Sequence, residues 1–91
     1  MSTVTQAELR STAAGVLHDE ARRLLELSHA ARTVPKRAHL LKAARQLNLV
    51  GESVQLGSKT IDEAQAWIDA GRLFIAEQEA VTGGAKARGR E

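Results

Sequence analysis

Three runs of apolar residues at helical spacing divide the chain. The first extends from Thr5 to about Arg32, the second begins near Pro35, and the third follows Thr60. In each run apolar residues recur every three or four positions, which is typical of a helix with one buried side. The pattern predicts an all-α fold, an antiparallel three-helix bundle with short connections.

The third run carries the only tryptophan and the only phenylalanine of the chain. Thr60 and Glu63 form a capping box at its start. Nine residues fall on one broad side of this helix: Ile61, Ala64, Trp67, Ile68, Gly71, Phe74, Ile75, Gln78 and Val81. A stripe this wide must be covered from two directions. Glycine within it costs ~1 kcal/mol relative to alanine, which close approach of a neighbouring helix can offset.

A second interpretation of this region rests on residues 66–73, Ala-Trp-Ile-Asp-Ala-Gly-Arg-Leu. The string resembles the helix end of excisionase-type DNA-binding domains. In that family the glycine ends the helix and a short strand follows, so the resemblance implies that the third helix stops at Gly71. Phe74, Ile75 and Val81 stay in helical phase beyond the glycine, however, and this favours a continuous helix.

An acidic residue interrupts the apolar stripe of the first helix. The stripe consists of Leu9, Ala13, Val16, Leu17, Leu24, Leu27 and Ala31. Glu20 falls in its middle, and because burying an unpaired carboxylate is costly, it should pair with a cation or shift its pKa. It is either an edge residue that reaches water or an arginine, or a buried acid at a ligand or partner site.

The second helix contains a glycine that could end it. Its stripe consists of Leu40, Ala43, Ala44, Leu47 and Val50. Gly51 then has the position of a helix stop, so the pattern favours a break or kink between Asn48 and Glu52. If the helix instead continues, Val54 stays on the stripe while Leu49 and Leu56 point outward.

Length and composition limit the classes of function. Ninety-one residues make one domain at most. We assign residues 1–81 to the bundle, and we expect the basic, glycine-rich residues 82–91 to be disordered. The chain has no cysteine, no apolar run of the ~20 residues that span a bilayer, and no phosphate-binding glycine loop. We therefore expect a cytoplasmic protein without membrane contact, catalysis or cofactor. The three histidines, His18, His29 and His39, do not predict a metal site.

Charge is distributed unevenly between the helices. Residues 32–50 contain five basic side chains and no acidic one, whereas residues 60–80 are predominantly acidic. The second helix could bind phosphates or an acidic protein surface, or it could pair with the third helix of the same molecule.

The second helix also raises the question of DNA binding. Ala44, Leu47, Asn48 and Val54 have the approximate spacing of a helix-turn-helix motif. The recognition helix would be residues 51–58, which lack arginine and lysine. A small DNA-binding accessory protein, using helix 2 and the basic tail, is therefore the alternative function.

The favoured function is non-enzymatic binding of another protein through a helical face. Such a protein could be a regulator or adaptor that sequesters a transcriptional regulator, and self-association as a dimer is expected. Apolar residues outside the main stripes would anchor the contact, and basic residues would set orientation and approach rate. The predicted contact residues are Leu25, Leu41, Leu49, Leu56, Arg37, Lys42 and Arg45.

Overall fold

Three helices make up the fold. The computed structural model describes the backbone of residues 5–90 and the side chains of residues 5–80. The helices are α1 (Gln6–Ala30), α2 (Val34–Leu56) and α3 (Ile61–Arg90). α1 packs most extensively against α2, and α3 lies against the pair chiefly through α1. The predicted all-α three-helix bundle is confirmed.

The helices run up, down and up. A Cβ atom placed on Gly57, just after α2, would lie 3.8 Å from Cζ of Arg10 near the start of α1. The end of α2 has therefore returned to the beginning of α1. His39 near the start of α2 meets Phe74 of α3 edge to face, with ring centroids 5.4 Å apart. Short connections at residues 31–33 and 57–60 allow this antiparallel course.

Threonine caps each helix at its start. The Thr5 and Thr33 hydroxyls each accept a bond from the backbone N–H three residues on, at 3.1 and 3.3 Å. Thr60 and Glu63 form the predicted reciprocal capping box, with both bonds 3.0 Å long. These bonds satisfy N–H groups that have no partner within the helix, so the sequence fixes where each helix begins.

The predicted break near Gly51 is wrong, because α2 is continuous from Val34 to Leu56. The helix ends at Gly57, which adopts the left-handed conformation with φ of 86° and donates its N–H to the carbonyls of Ser53 and Val54. Gly51 is buried instead: a Cβ atom there would lie 3.0 Å from the ring of His18 and 3.4 Å from the Ala14 carbonyl. Its role is to let α1 approach α2 closely.

The core lies mainly between α1 and α2. Its largest fully buried apolar side chains are Leu17, Leu24, Leu40 and Val54. The inner side of α2 matches the predicted stripe. In α1 the buried side also takes in Ala14, Ala21 and Ser28, while Leu9 is exposed. Small residues on α1 face the second helix because they allow the two backbones to come together.

α3 contributes a narrow strip to this core. Ala64, Ile68 and Gly71 are buried, whereas Trp67 and Phe74 are half-buried and pack against the edge of the core. A Cβ atom on Gly71 would overlap the Glu20 carboxyl group. This confirms the expected close approach. The alternative in which the helix stops at Gly71 is wrong, because α3 continues through it.

The helical backbone of α3 extends to Arg90, whereas the sequence predicts a disordered tail at residues 82–91. The side chains beyond Ala80, and the whole of Glu91, lie outside the described residues. The division of the chain between residues 81 and 82 therefore stays a prediction.

Replacing the packing glycine should destabilise the protein, whereas replacing an open one should not. Valine at position 51 would press on the His18 ring, which is held by a hydrogen bond to Asn48 over 2.7 Å. We expect Gly51→Val to lower the free energy of unfolding by about 2 kcal/mol, since overpacking a core strains its neighbours. Gly15 has nothing within 4 Å of a Cβ atom, so Gly15→Val is the matched control. Urea unfolding measures both, and equal effects would contradict the close packing at Gly51.

Candidate functional site

α2 has two apolar faces. Its inner face packs on α1, and a second set of residues projects on roughly the opposite side. Successive helical residues turn by about 100°, which places five residues within roughly 80° of one another. We call these the outer face of α2: Leu41, Arg45, Leu49, Glu52 and Leu56. Leu49 is 62% exposed and Leu56 is 82% exposed, whereas Leu41 is half-buried. The second half of the strip therefore faces solvent.

The outer face is continuous only because α2 is unbroken at Gly51. A break there would turn Leu56 away from Leu41 and Leu49. With the helix intact, these three leucines follow one another at spacings of eight and seven residues. Val34, seven residues before Leu41, extends the strip to the start of the helix and is also exposed. Sequence reasoning missed Val34, although this spacing was visible.

The basic residues predicted to take part in binding are at the surface. Arg37, Lys42 and Arg45 are all exposed. Arg37 donates a hydrogen bond to the Ala31 carbonyl over 3.2 Å. Within residues 5–80, no acidic side chain of α3 forms an ion pair with α2, and the interhelical pair joins Arg23 of α1 to Glu79 of α3. The basic charge of α2 is therefore available to another molecule.

One predicted contact residue lies on a different helix from the others. Leu25 belongs to α1 and is half-buried, packed against the core. The other six predicted contact residues share a single helix. Leu73, which is exposed on α3, lies off this helix.

A second feature is an open groove of about 380 Å³ between α1 and α3. Its lining includes Glu20, Arg23, Arg72 and Glu79, so its charges are mixed. Glu20 is only 9% exposed, and its Oε1 atom has no hydrogen-bond partner in the described part of the chain. Among the described residues the carboxyl group forms no ion pair with an arginine, and one of its two oxygens is fully buried.

Burial changes the proton affinity of Glu20. Loss of hydration raises its pKa from 4.5 to about 7, although the positive charge of Arg72 acts in the opposite direction. Asp69 adds to the rise through its negative charge. A carboxyl group with this pKa is protonated in a large fraction of folded molecules at neutral pH. The sequence placed Glu20 within an apolar stripe and left open whether it is an edge residue or a buried acid. The structure shows a largely buried residue with a raised pKa.

Two kinds of site are not found among the described residues. No three histidine, aspartate or glutamate side chains gather in a way that could hold a metal ion. No helix in that part has both the length and the apolar character needed to cross a bilayer.

Glu20 should make stability depend on pH. Its pKa is higher in the folded than in the unfolded state, so its full contribution is present below pH 4.5 and is lost as pH rises through about 7. Glu20→Gln removes this dependence. Since Glu20 borders an open groove where solvent weakens the effect, we expect the substitution to raise the free energy of unfolding at pH 8 by about 2 kcal/mol relative to its effect at pH 4. Glu77→Gln, at an exposed position of α3, is the control. Denaturant unfolding at pH 4 and pH 8 measures both variants. An effect of Glu20→Gln that is the same at both pH values would contradict the raised pKa of Glu20.

Comparison with known proteins adds no family assignment. No protein-family model matches the chain, and neither a curated protein nor a solved structure matches it. The function must therefore be argued from the geometry of the helices themselves.

Proposed function

We propose that this chain is a small non-enzymatic regulatory or adaptor protein that binds another protein through the outer face of α2. The observation that carries the proposal is the exposure of Leu49 and Leu56 along an unbroken helix. α2 has apolar residues on two opposite sides, and its own bundle covers only one of them. Covering the second side with a partner removes apolar area from water, at roughly 25 cal/mol per Å².

The form of this surface suits the binding of a helix or groove. Apolar residues at spacings of three, four, seven and eight positions are the anchors by which one amphipathic helix docks on another protein. Arg45 lies between the leucines, and Lys42 lies beside them. An acidic rim on the partner would therefore speed association and fix its orientation.

A regulatory role in the cytoplasm is part of the proposal. A protein with one docking face and no catalytic group acts by occupying a surface of its partner. Binding a transcriptional regulator in this way would inhibit it by mass action, because the covered surface of the regulator could not contact its other partners. The partner's identity follows from capture experiments and not from the fold.

Capture from the native cell tests the docking face. Tagged protein should recover a partner, and Leu49→Asp or Leu56→Asp should reduce recovery by at least about tenfold, because a carboxylate would be buried at the contact. Leu73→Asp is the matched control, since Leu73 and Leu49 are both 62% exposed and lie on different helices.

Circular dichroism should show the same helical content in all three variants, because each change is at an exposed position. If Leu49→Asp and Leu56→Asp recover the partner as well as the native protein does, the outer face of α2 is not the docking site. Loss of the partner with Leu73→Asp alone would move the site to α3.

Nucleic-acid binding remains a second candidate because Arg37, Lys42 and Arg45 are exposed without acidic partners from α3. Two of its structural forms are wrong. The helix-turn-helix form needs a turn after Asn48, where α2 is helical. The excisionase-like form needs the helix to end at Gly71. What is left is contact of a basic helix with phosphates.

Salt dependence separates this candidate from protein binding. Phosphate contacts release counterions, so duplex affinity should fall steeply between 50 and 200 mM salt, by about tenfold or more for a few contacts. Replacing both Lys42 and Arg45 by glutamine should weaken that binding further. A gel shift at low salt that shows no complex would remove this candidate.

A further inference from the structure

We propose that a second copy of this chain occupies the outer face of α2, packed antiparallel about a two-fold axis between Asn48 and Leu49. This inference rests on the proposed function, because it names a partner for the same face. It is carried by the positions of two charges and three leucines on that face. A protein partner of another kind would compete with the second copy.

The spacing along α2 is symmetric about one point. Arg45 and Glu52 are centred on the peptide between residues 48 and 49, and Leu41 and Leu56 are centred on the same peptide. In an antiparallel pair of helices with a two-fold axis at this peptide, each residue lies level with its symmetric counterpart. Because a helix rises 1.5 Å per residue, Arg45 of one copy meets Glu52 of the other copy about 5 Å from the two-fold axis, measured along the helix.

Charge complementarity favours this arrangement. Arg45 of each copy lies opposite Glu52 of the other, so the dimer contains the same ion pair twice. Within the described side chains neither residue forms an ion pair in the monomer. A parallel arrangement would instead place Arg45 against Arg45 and Glu52 against Glu52. Antiparallel packing also brings the basic first half of α2 next to the negative end of the partner's helix dipole.

The leucines supply the apolar part of the contact. Leu41 of one copy lies level with Leu56 of the other copy, about 11 Å from the two-fold axis along the helix. The two copies of Leu49 meet next to the axis itself. A contact along one helix is small for a specific interface, so we expect a reversible dimer with micromolar affinity.

Reversing the charges tests the geometry. In a dimer of the Arg45→Glu variant, the new carboxylate at position 45 of each copy faces Glu52 of the other copy. In a dimer of the Glu52→Arg variant, the new guanidinium group at position 52 of each copy faces Arg45 of the other copy. Each single variant should dimerise roughly tenfold more weakly than the native protein. An equimolar mixture of the two variants should form a heterodimer as tight as the native dimer, because opposite charges then meet at both positions. Sedimentation equilibrium measures all three samples.

The mixture also controls for folding, since variants that failed to fold would not combine. A native protein that stays monomeric, or single variants that dimerise normally, would overturn the proposal. Single variants that both weaken and do not combine when mixed would also overturn it.

The dimerisation and capture experiments together distinguish a failure of this inference from a failure of the proposed function. If no dimer forms but Leu49→Asp still abolishes capture of another protein, the face binds a different partner and the second copy is rejected. If the dimer forms as described and no other protein is captured, the outer face serves self-association alone.

Discussion

The close packing of α2 on α1 is the contact on which the rest of the structure depends. Leu17 and Leu24 of α1 are fully buried in the same core as Leu40 and Val54 of α2. Gly51 makes this approach possible, because any side chain there would press on His18. Once α1 covers the inner face of α2, the direction of the outer face is fixed. α3 then adds to the pair through a narrow strip, and it leaves the outer face uncovered in the described structure.

This arrangement places the buried acid and the outer face of α2 on different parts of the bundle. The interior is filled by apolar and small side chains. Among the described residues Glu20 is the one buried acid; its pKa is raised, and no basic side chain is close enough to form an ion pair with it. We expect Glu20 to lower the free energy of unfolding at high pH. Glu20 lies at the contact between α1 and α3. The outer face of α2 lies on another side of the bundle. The residues that we propose for recognition are therefore separate from Glu20.

The sequence predicts those parts of the fold that depend on neighbours along the chain. Helix starts follow from hydroxyls that bond an amide three residues on, and the inner face of α2 follows from helical spacing. The role of Gly51 could not be predicted, because a glycine that ends a helix and a glycine that admits another helix look the same locally. The distinction depends on Ala14 and His18, more than thirty residues away. The outer face was visible as outward-pointing leucines, but its continuity depended on this unpredicted packing. Leu25, assigned to the same contact, belongs to the edge of the core.

α2 is one unbroken helix whose inner face is buried and whose outer face is uncovered by the described residues. Nuclear magnetic resonance of dilute protein with a soluble paramagnetic agent tests it most directly, because broadening of each leucine methyl signal reports its access to solvent. The methyl signals of Leu49 and Leu56 should broaden strongly, and those of Leu40 and Leu47 should change little. Equal broadening of Leu47 and Leu49 would contradict the account.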